Sequence, residues 1–256
     1  MPASVGEPRN GCRSGAPARK SWNTTAEALP SKNAGTEQPV QWSDGKQRYD
    51  AIRTASTMLI AIEGCVGIGK TTVATGLASH RGSELLLEAF ELNPFLPAFY
   101  ERPTETAIET EFSFLLLHFH QLKRIRPLAS QSELIADFHL GKDLLYADLN
   151  LTNGPARRLF QDLYSLCLQN VPQPGLLIFL SAPTALVIER IRARQREFEL
   201  AIDPEYFAAV NAAYEKRFCE YPGRKLRVQM DEWDFVKDVG LYTALNDIIE
   251  EELDRP

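Results

Sequence analysis

Residues 58–71 read MLIAIEGCVGIGKT, and TVATGLASH follows at 72–80. The run at 58–64 is short, apolar and closed by a glycine, which suits a strand buried on both faces of a parallel sheet. Gly64, Gly67, Gly69, Lys70 and Thr71 complete the spacing GxxxxGK[ST]. Glycines there let the backbone curl until successive N–H groups converge on phosphate oxygens, and the helix that follows adds its positive N-terminal end. In that geometry Lys70 reaches the β- and γ-phosphates, Thr71 holds Mg²⁺, and Thr72 adds to the phosphate site. The alternative is a Gly-rich turn with no ligand; a strand before the motif and a helix after it argue for the phosphate loop. The loop alone does not separate ATPases, GTPases and small-molecule kinases.

Working outward, strands are expected at 84–90, 175–183 and 225–230, and helices at 70–80, 105–126, 155–170, 184–199 and 237–253. Strands alternating with helices predict an α/β fold of three layers, with a parallel sheet of about five strands. Composition changes near residue 56. Residues 1–50 are dense in Gly, Pro, Ala, Ser, Asn and Thr, so residues 1–55 are expected to form a disordered extension and 56–256 a folded domain. The extension has no apolar signal-peptide core and too weak an Arg/Ser pattern for a transit peptide, so a cytoplasmic location is expected.

The 256-residue chain is 44% hydrophobic and 24% charged, which excludes collagen-like and wholly disordered classes. A formal net charge of -6 argues against a nucleic-acid polymer as partner, and no apolar run is long enough to span a membrane. Cys12, Cys65, Cys167 and Cys219 lie far apart with no CxxC, which favours reduced thiols over a zinc or disulfide framework.

After the second strand come Leu87-Glu88-Ala89-Phe90-Glu91-Leu92-Asn93-Pro94-Phe95-Leu96 and then Phe99-Tyr100. Together with the phosphate loop this stretch resembles the deoxynucleoside kinase family, in its bacterial deoxyadenosine/deoxyguanosine kinase-like branch, whose pattern is LEP-x-E-x-NPFL-x-x-FY. The likeness continues through Thr110–Leu122, Asp137–Ala147 and Pro183–Tyr214, about 200 residues in all. It implies the P-loop kinase fold and transfer of the ATP γ-phosphoryl group to the 5′-hydroxyl of a deoxynucleoside, a nucleotide-salvage reaction.

Glu88 matches the family's general base, and a carboxylate is a sensible acceptor for the proton of a hydroxyl turning nucleophilic. Tyr100 matches a substrate-binding position. Helix 184–199 resembles the family's lid: Arg190, Arg194 and Arg196 match arginines that hold ATP phosphates, with Arg194 also catalytic, and Glu199 matches the glutamate on the sugar 3′-hydroxyl. Arg192 is an extra, solvated charge. Asp137, in Ile135-Ala136-Asp137-Phe138, matches the acid near Mg²⁺ and the 5′-oxygen. Phe138 stands where many members have arginine, and Lys142 is assigned a phosphate role. The family's habit also implies a homodimer packed through helices.

Three departures concern the same region. Ala89 replaces proline, Glu111 replaces a base-pairing glutamine, and His118 replaces an arginine. An ionised carboxylate is acceptor-only, so an ionised Glu111 facing the base is expected to favour guanine, with its adjacent N1–H and N2–H₂ donors. Asp231 and Asp234 are expected to cap the turn after the last strand. Two rivals to the purine-favouring kinase are a nucleoside monophosphate kinase and a non-catalytic scaffold. The Asn93-Pro94-Phe95-Leu96 segment counts against the first, and intact Lys70, Thr71, Glu88 and Arg194 against the second.

Overall fold

A computed structural model describes residues 59–125, 132–196 and 203–255. The expected extension at 1–55 and Glu199 lie outside these described residues. Among the described residues are five strands and eight helices: β1 Leu59–Glu63, α1 Lys70–Arg81, β2 Glu84–Leu86, α2 Leu96–Glu101, α3 Pro103–Ile125, β3 Leu134–Ala136, α4 Gly141–Asn150, α5 Gly154–Leu168, β4 Leu176–Ser181, α6 Thr184–Arg194, α7 Pro204–Glu220, β5 Lys225–Gln229 and α8 Leu241–Asp254. A short 3₁₀ turn covers Phe90–Leu92. The strands form one sheet in the order β2-β3-β1-β4-β5, and every pairing is parallel.

All five residues of the central strand β1 are buried, as a parallel strand covered on both faces requires. Its side chains alternate between the faces. Ile60 and Ile62 join a core with Val73 and Leu77 of α1 and Leu245 and Ile249 of α8. Leu59 joins a second core with Leu115 and Leu122 of α3, Leu144 of α4 and Phe160 of α5. Helices on both sides of the sheet make the third layer. α1 and α8 approach unusually closely because Gly76 has no side chain: a Cβ there would meet the Tyr242 ring at 2.0 Å, and the Tyr242 hydroxyl donates to Thr72 O at 3.2 Å.

Several boundaries differ from expectation for local reasons. β2 ends at Leu86 rather than 90, because the chain turns into the 3₁₀ segment that carries the site. α6 ends at Arg194 rather than 199, where Gln195 takes a left-handed conformation (φ 52°) and stops the helix. β3, with three residues, is too short to announce itself as a period. α7 is not among the expected helices; it starts at Asp203-Pro204, an N-cap followed by proline at the first helical position, where the Asp203 side chain accepts from Glu205 N at 2.9 Å.

Candidate active site

Because β1, β2 and β3 are parallel, the segments leaving their carboxyl ends meet at one edge of the sheet. These segments are the phosphate loop, the turn with Glu88, and Asp137. With α3, α4 and the lid helix α6 they line one cleft of about 780 Å³.

At the phosphate end the loop curls through left-handed glycines. Gly67 (φ 78°) lies against the lid helix, where a Cβ would sit 2.4 Å from Ile191 Cγ1. Gly69 (φ 110°) is the N-cap of α1 and brings no side chain to its first turn, so no side chain competes with an incoming anion for those N–H groups. Gly64 turns the chain beneath the loop and does not line the cleft; Gly67, Gly69, Lys70, Thr71 and Thr72 do. The Lys70 ammonium donates to Gly64 O at 2.9 Å and Cys65 O at 3.2 Å. Burial, then the nearby Lys142 charge, lowers its pKa from the ordinary lysine value.

Thr71 Oγ1 donates to Asp137 Oδ2 at 2.6 Å, while Asp137 Oδ1 accepts from Glu88 N at 2.7 Å. A hydroxyl and a carboxylate side by side at the mouth of a phosphate loop are hard oxygen donors, the set that Mg²⁺ takes alongside phosphate oxygens and water. Among the described residues no group of three or more His, Cys, Asp or Glu side chains could hold a metal by itself.

Glu88 sits between these donors and the base end. Its Oε2 accepts from Lys142 Nζ at 2.5 Å and its Oε1 lies 3.1 Å from His118 Nε2. Burial alone would raise its pKa, but the Lys142 ammonium and His118 hold it well below the usual carboxylate range. His118 is fully buried, stacked on Phe114 and packed against the tilted ring of Phe138, and its Nδ1 lies 2.7 Å from Asp143 Oδ1. Burial opposes its charge; Asp143 and Glu88 override this and raise it to about 9, so it is an imidazolium at neutral pH. Sequence reasoning placed His118 behind the base but missed its link to Glu88, since Asp143 and Glu88 stand 25 and 30 residues away from it. The one signal was a histidine set in the apolar run Phe114-Leu115-Leu116-Leu117.

At the far end Glu111 is 2% exposed and lines the cleft with Tyr100 and Tyr206. Its Oε1 accepts from Asn150 Nδ2 at 2.7 Å, and the same amide also donates to Tyr206 Oη at 3.1 Å. Burial pushes the Glu111 carboxyl up to about 8, against the pull of the Asn150 amide. The expectation for guanine assumed an ionised Glu111. Burial instead favours its protonated form, which offers one donor and one acceptor.

Of the lid arginines, Arg190 donates to Ile68 O and Met230 O, both at 2.9 Å, tying the lid helix to the phosphate loop and to the end of β5. Arg190, Arg194 and Arg196 all line the cleft, and the Arg196 guanidinium stacks over Phe90 at 4.3 Å. Asp234 accepts from Val236 N and Lys237 N, the capping role expected of it.

The deoxynucleoside kinase family model matches residues 60–252 of this chain. A deoxyguanosine kinase of Bacillus subtilis is 32% identical over 158 residues, covering 61% of this chain and 76% of the relative. A deoxyadenosine kinase of Lactobacillus acidophilus is 26% identical, covering 76% and 96%. Among solved structures, deoxyadenosine kinase from M. mycoides with bound dATP superposes with a TM-score of 0.65 at 28% identity, over 74% of this chain and 99% of that one.

Proposed function

The chain belongs to the deoxynucleoside kinase family and is an ATP-dependent phosphotransferase acting on the hydroxyl of a deoxynucleoside; from that premise we propose that it phosphorylates the 5′-hydroxyl of purine deoxynucleosides, with Glu88 as the base. The observation that carries this reading is the convergence in one cleft of the phosphate loop, a buried carboxylate and the side chains of Glu111 and Tyr206.

ATP phosphates lie on the loop N–H groups, Lys70, Thr71 and Thr72. Arg190, Arg194 and Arg196 reach the spreading negative charge from the lid, and Arg190 also fixes the lid's base. Thr71 and Asp137 would hold Mg²⁺, which would supply charge neutralisation at the phosphates. Glu88 takes the 5′-hydroxyl proton as the oxygen attacks the γ-phosphorus in line. Closure of the lid excludes water, which suppresses ATP hydrolysis. Glu199 is proposed for the sugar 3′-hydroxyl.

Glu111 reads the purine edge. As a neutral acid it pairs with a donor–acceptor edge such as adenine's. Guanine, offering two adjacent N–H donors, draws it to the carboxylate form. The relatives above are named for purine deoxynucleosides, which favours this assignment, and another, a deoxyadenosine/deoxycytidine kinase of Bacillus subtilis, is named for a pyrimidine as well.

A homodimer is proposed through α3 and α5. These helices leave Ile108, Leu116, Leu159 and Leu166 exposed (44%, 51%, 61% and 59%) on a polar surface, the kind of face a symmetric partner covers. No helix among the described residues is long and apolar enough to cross a membrane, and a cytoplasmic location is proposed. The test is ADP formation from ATP·Mg²⁺ with each of the four common deoxynucleosides. Turnover highest with a purine supports the reading; turnover only with a pyrimidine or with a nucleoside monophosphate overturns it.

A further inference from the structure

Three lysines line the cleft, Lys70, Lys142 and Lys237, and each is parked on the protein's own acceptors, Lys237 on Asp234. Lys70 sits on two loop carbonyls, and Lys142 sits on Glu88. Lys142 and Lys70 line the same cleft, and the Lys142 charge is among the causes that lower the Lys70 pKa. Two ammonium groups facing one cleft suit a bound anion there.

The two cations on Glu88 are unlike each other. His118 does not line the cleft, is 1% exposed, is clamped by Asp143 and is packed against two phenylalanine rings. It has no room to leave. Lys142 lines the cleft beside Glu88, with a flexible four-carbon stem. Its contact with Glu88 Oε2 is at the cleft wall, where an acceptor hydroxyl has to donate its hydrogen bond. While Lys142 holds that oxygen, the hydroxyl competes with an ammonium for it.

We propose that Lys142 is an exchangeable partner: when ATP and deoxynucleoside are both bound it leaves Glu88 for the oxygens of the transferring phosphoryl group, while the Asp143–His118 pair stays and keeps the carboxylate oriented. One movement then frees Glu88 Oε2 for the 5′-hydroxyl and places a second positive charge beside Lys70 on the phosphate. The proton passes from the 5′-oxygen to Glu88, and no further group gains or loses one. His118 and Asp143 are positioning residues; Lys142 touches the reacting group. This inference rests on the kinase reading above.

The test compares Lys142→Met with the unaltered chain, using the Mg²⁺ complex of an ATP analogue with a nitrogen bridge between its β- and γ-phosphates, and ADP as the reference. Both are measured with the best deoxynucleoside at saturation. Exchange predicts that the analogue's Kd rises about tenfold while the Kd for ADP changes less than twofold, and that kcat falls on the order of 10²-fold. Lys142→Arg, which keeps the charge, is expected to recover most of the analogue's affinity. His118→Asn is expected to lower kcat and leave the analogue-to-ADP ratio alone.

An unchanged analogue-to-ADP ratio in Lys142→Met overturns the proposal and leaves the lysine as a fixed counter-ion. Should Lys142→Met fold poorly, ¹⁵N-lysine NMR of the unaltered chain decides the matter. The Lys142 ammonium signal moves on adding analogue plus deoxynucleoside if it exchanges, and stays if it does not. Failure of the kinase reading looks different: the unaltered chain then turns over no deoxynucleoside at all.

Discussion

Replacing Glu111 by glutamine removes a titrating group while keeping shape and volume. In the folded chain burial pushes the Glu111 carboxyl from its ordinary 4.5 up to about 8. The folded state therefore holds a proton that the unfolded chain releases above pH 4.5. Stability linked to this group is complete below about pH 4.5 and is lost as pH rises through about 8. A tenfold change in proton affinity corresponds to about 1.4 kcal/mol, so the loss across the whole window is at most about 5 kcal/mol, and between pH 5 and 8 about 4 kcal/mol. Glutamine carries no such dependence. The difference in unfolding free energy between Glu111→Gln and the unaltered chain is thus expected to grow in the variant's favour by about 4 kcal/mol from pH 5 to pH 8. For a domain near 200 residues this amounts to a relative Tm change of roughly 10 °C. Denaturant unfolding in parallel buffers measures it. Stability curves that run parallel over that range refute the buried, neutral Glu111. The same variant tests base reading: kcat/KM for deoxyguanosine relative to deoxyadenosine is expected to fall by about 10–100-fold, the cost of leaving one N–H donor facing another.

Three further outcomes follow from other contacts. Gly67→Ala places a Cβ 2.4 Å from Ile191 at φ 78°, so ATP binding measured by calorimetry is expected to weaken by at least tenfold while the sheet core stays folded; unchanged affinity contradicts the loop–lid packing. His118 is raised from 6.5 to about 9, so its stabilisation is full below pH 6.5 and disappears as pH rises through 9. The stability advantage over His118→Gln is expected to shrink by about 3 kcal/mol between pH 6 and pH 10 in denaturant titrations. Leu159→Glu with Leu166→Glu is expected to convert a dimer to monomer by sedimentation, with the Tm of the monomer little changed; a dimer that survives both charges moves the interface elsewhere.

The sheet's centre was legible because its physics is local. Residues 58–71 join an apolar strand to a phosphate loop and a helix within a single short stretch, and the structure has β1, a left-handed glycine turn and α1 in those places. β3 was not legible as a strand, because Leu134–Ala136 spans less than two periods and takes its conformation from pairing with β1 and β2. α4 escaped for a related reason: its N-cap, Leu140, offers no side-chain cap to read. In the site, Lys70, Thr71, Glu88, Asp137 and Glu111 could be named from motif positions. Their electrostatics could not. That Lys142 pairs with Glu88, that Asp143 clamps His118, and that Glu111 is buried enough to hold its proton all depend on helices α3 and α4 crossing beside the cleft. No spacing along the chain encodes such a crossing.

The most direct test of Glu88 as the base is the turnover of Glu88→Gln with ATP·Mg²⁺ and the best deoxynucleoside, set beside its affinity for ATP. Glutamine keeps the side chain's size and cannot accept the proton. A fall in kcat of about 10²–10⁴-fold with ATP binding within threefold is the predicted result. A variant that turns over within a few-fold of the unaltered chain contradicts the account.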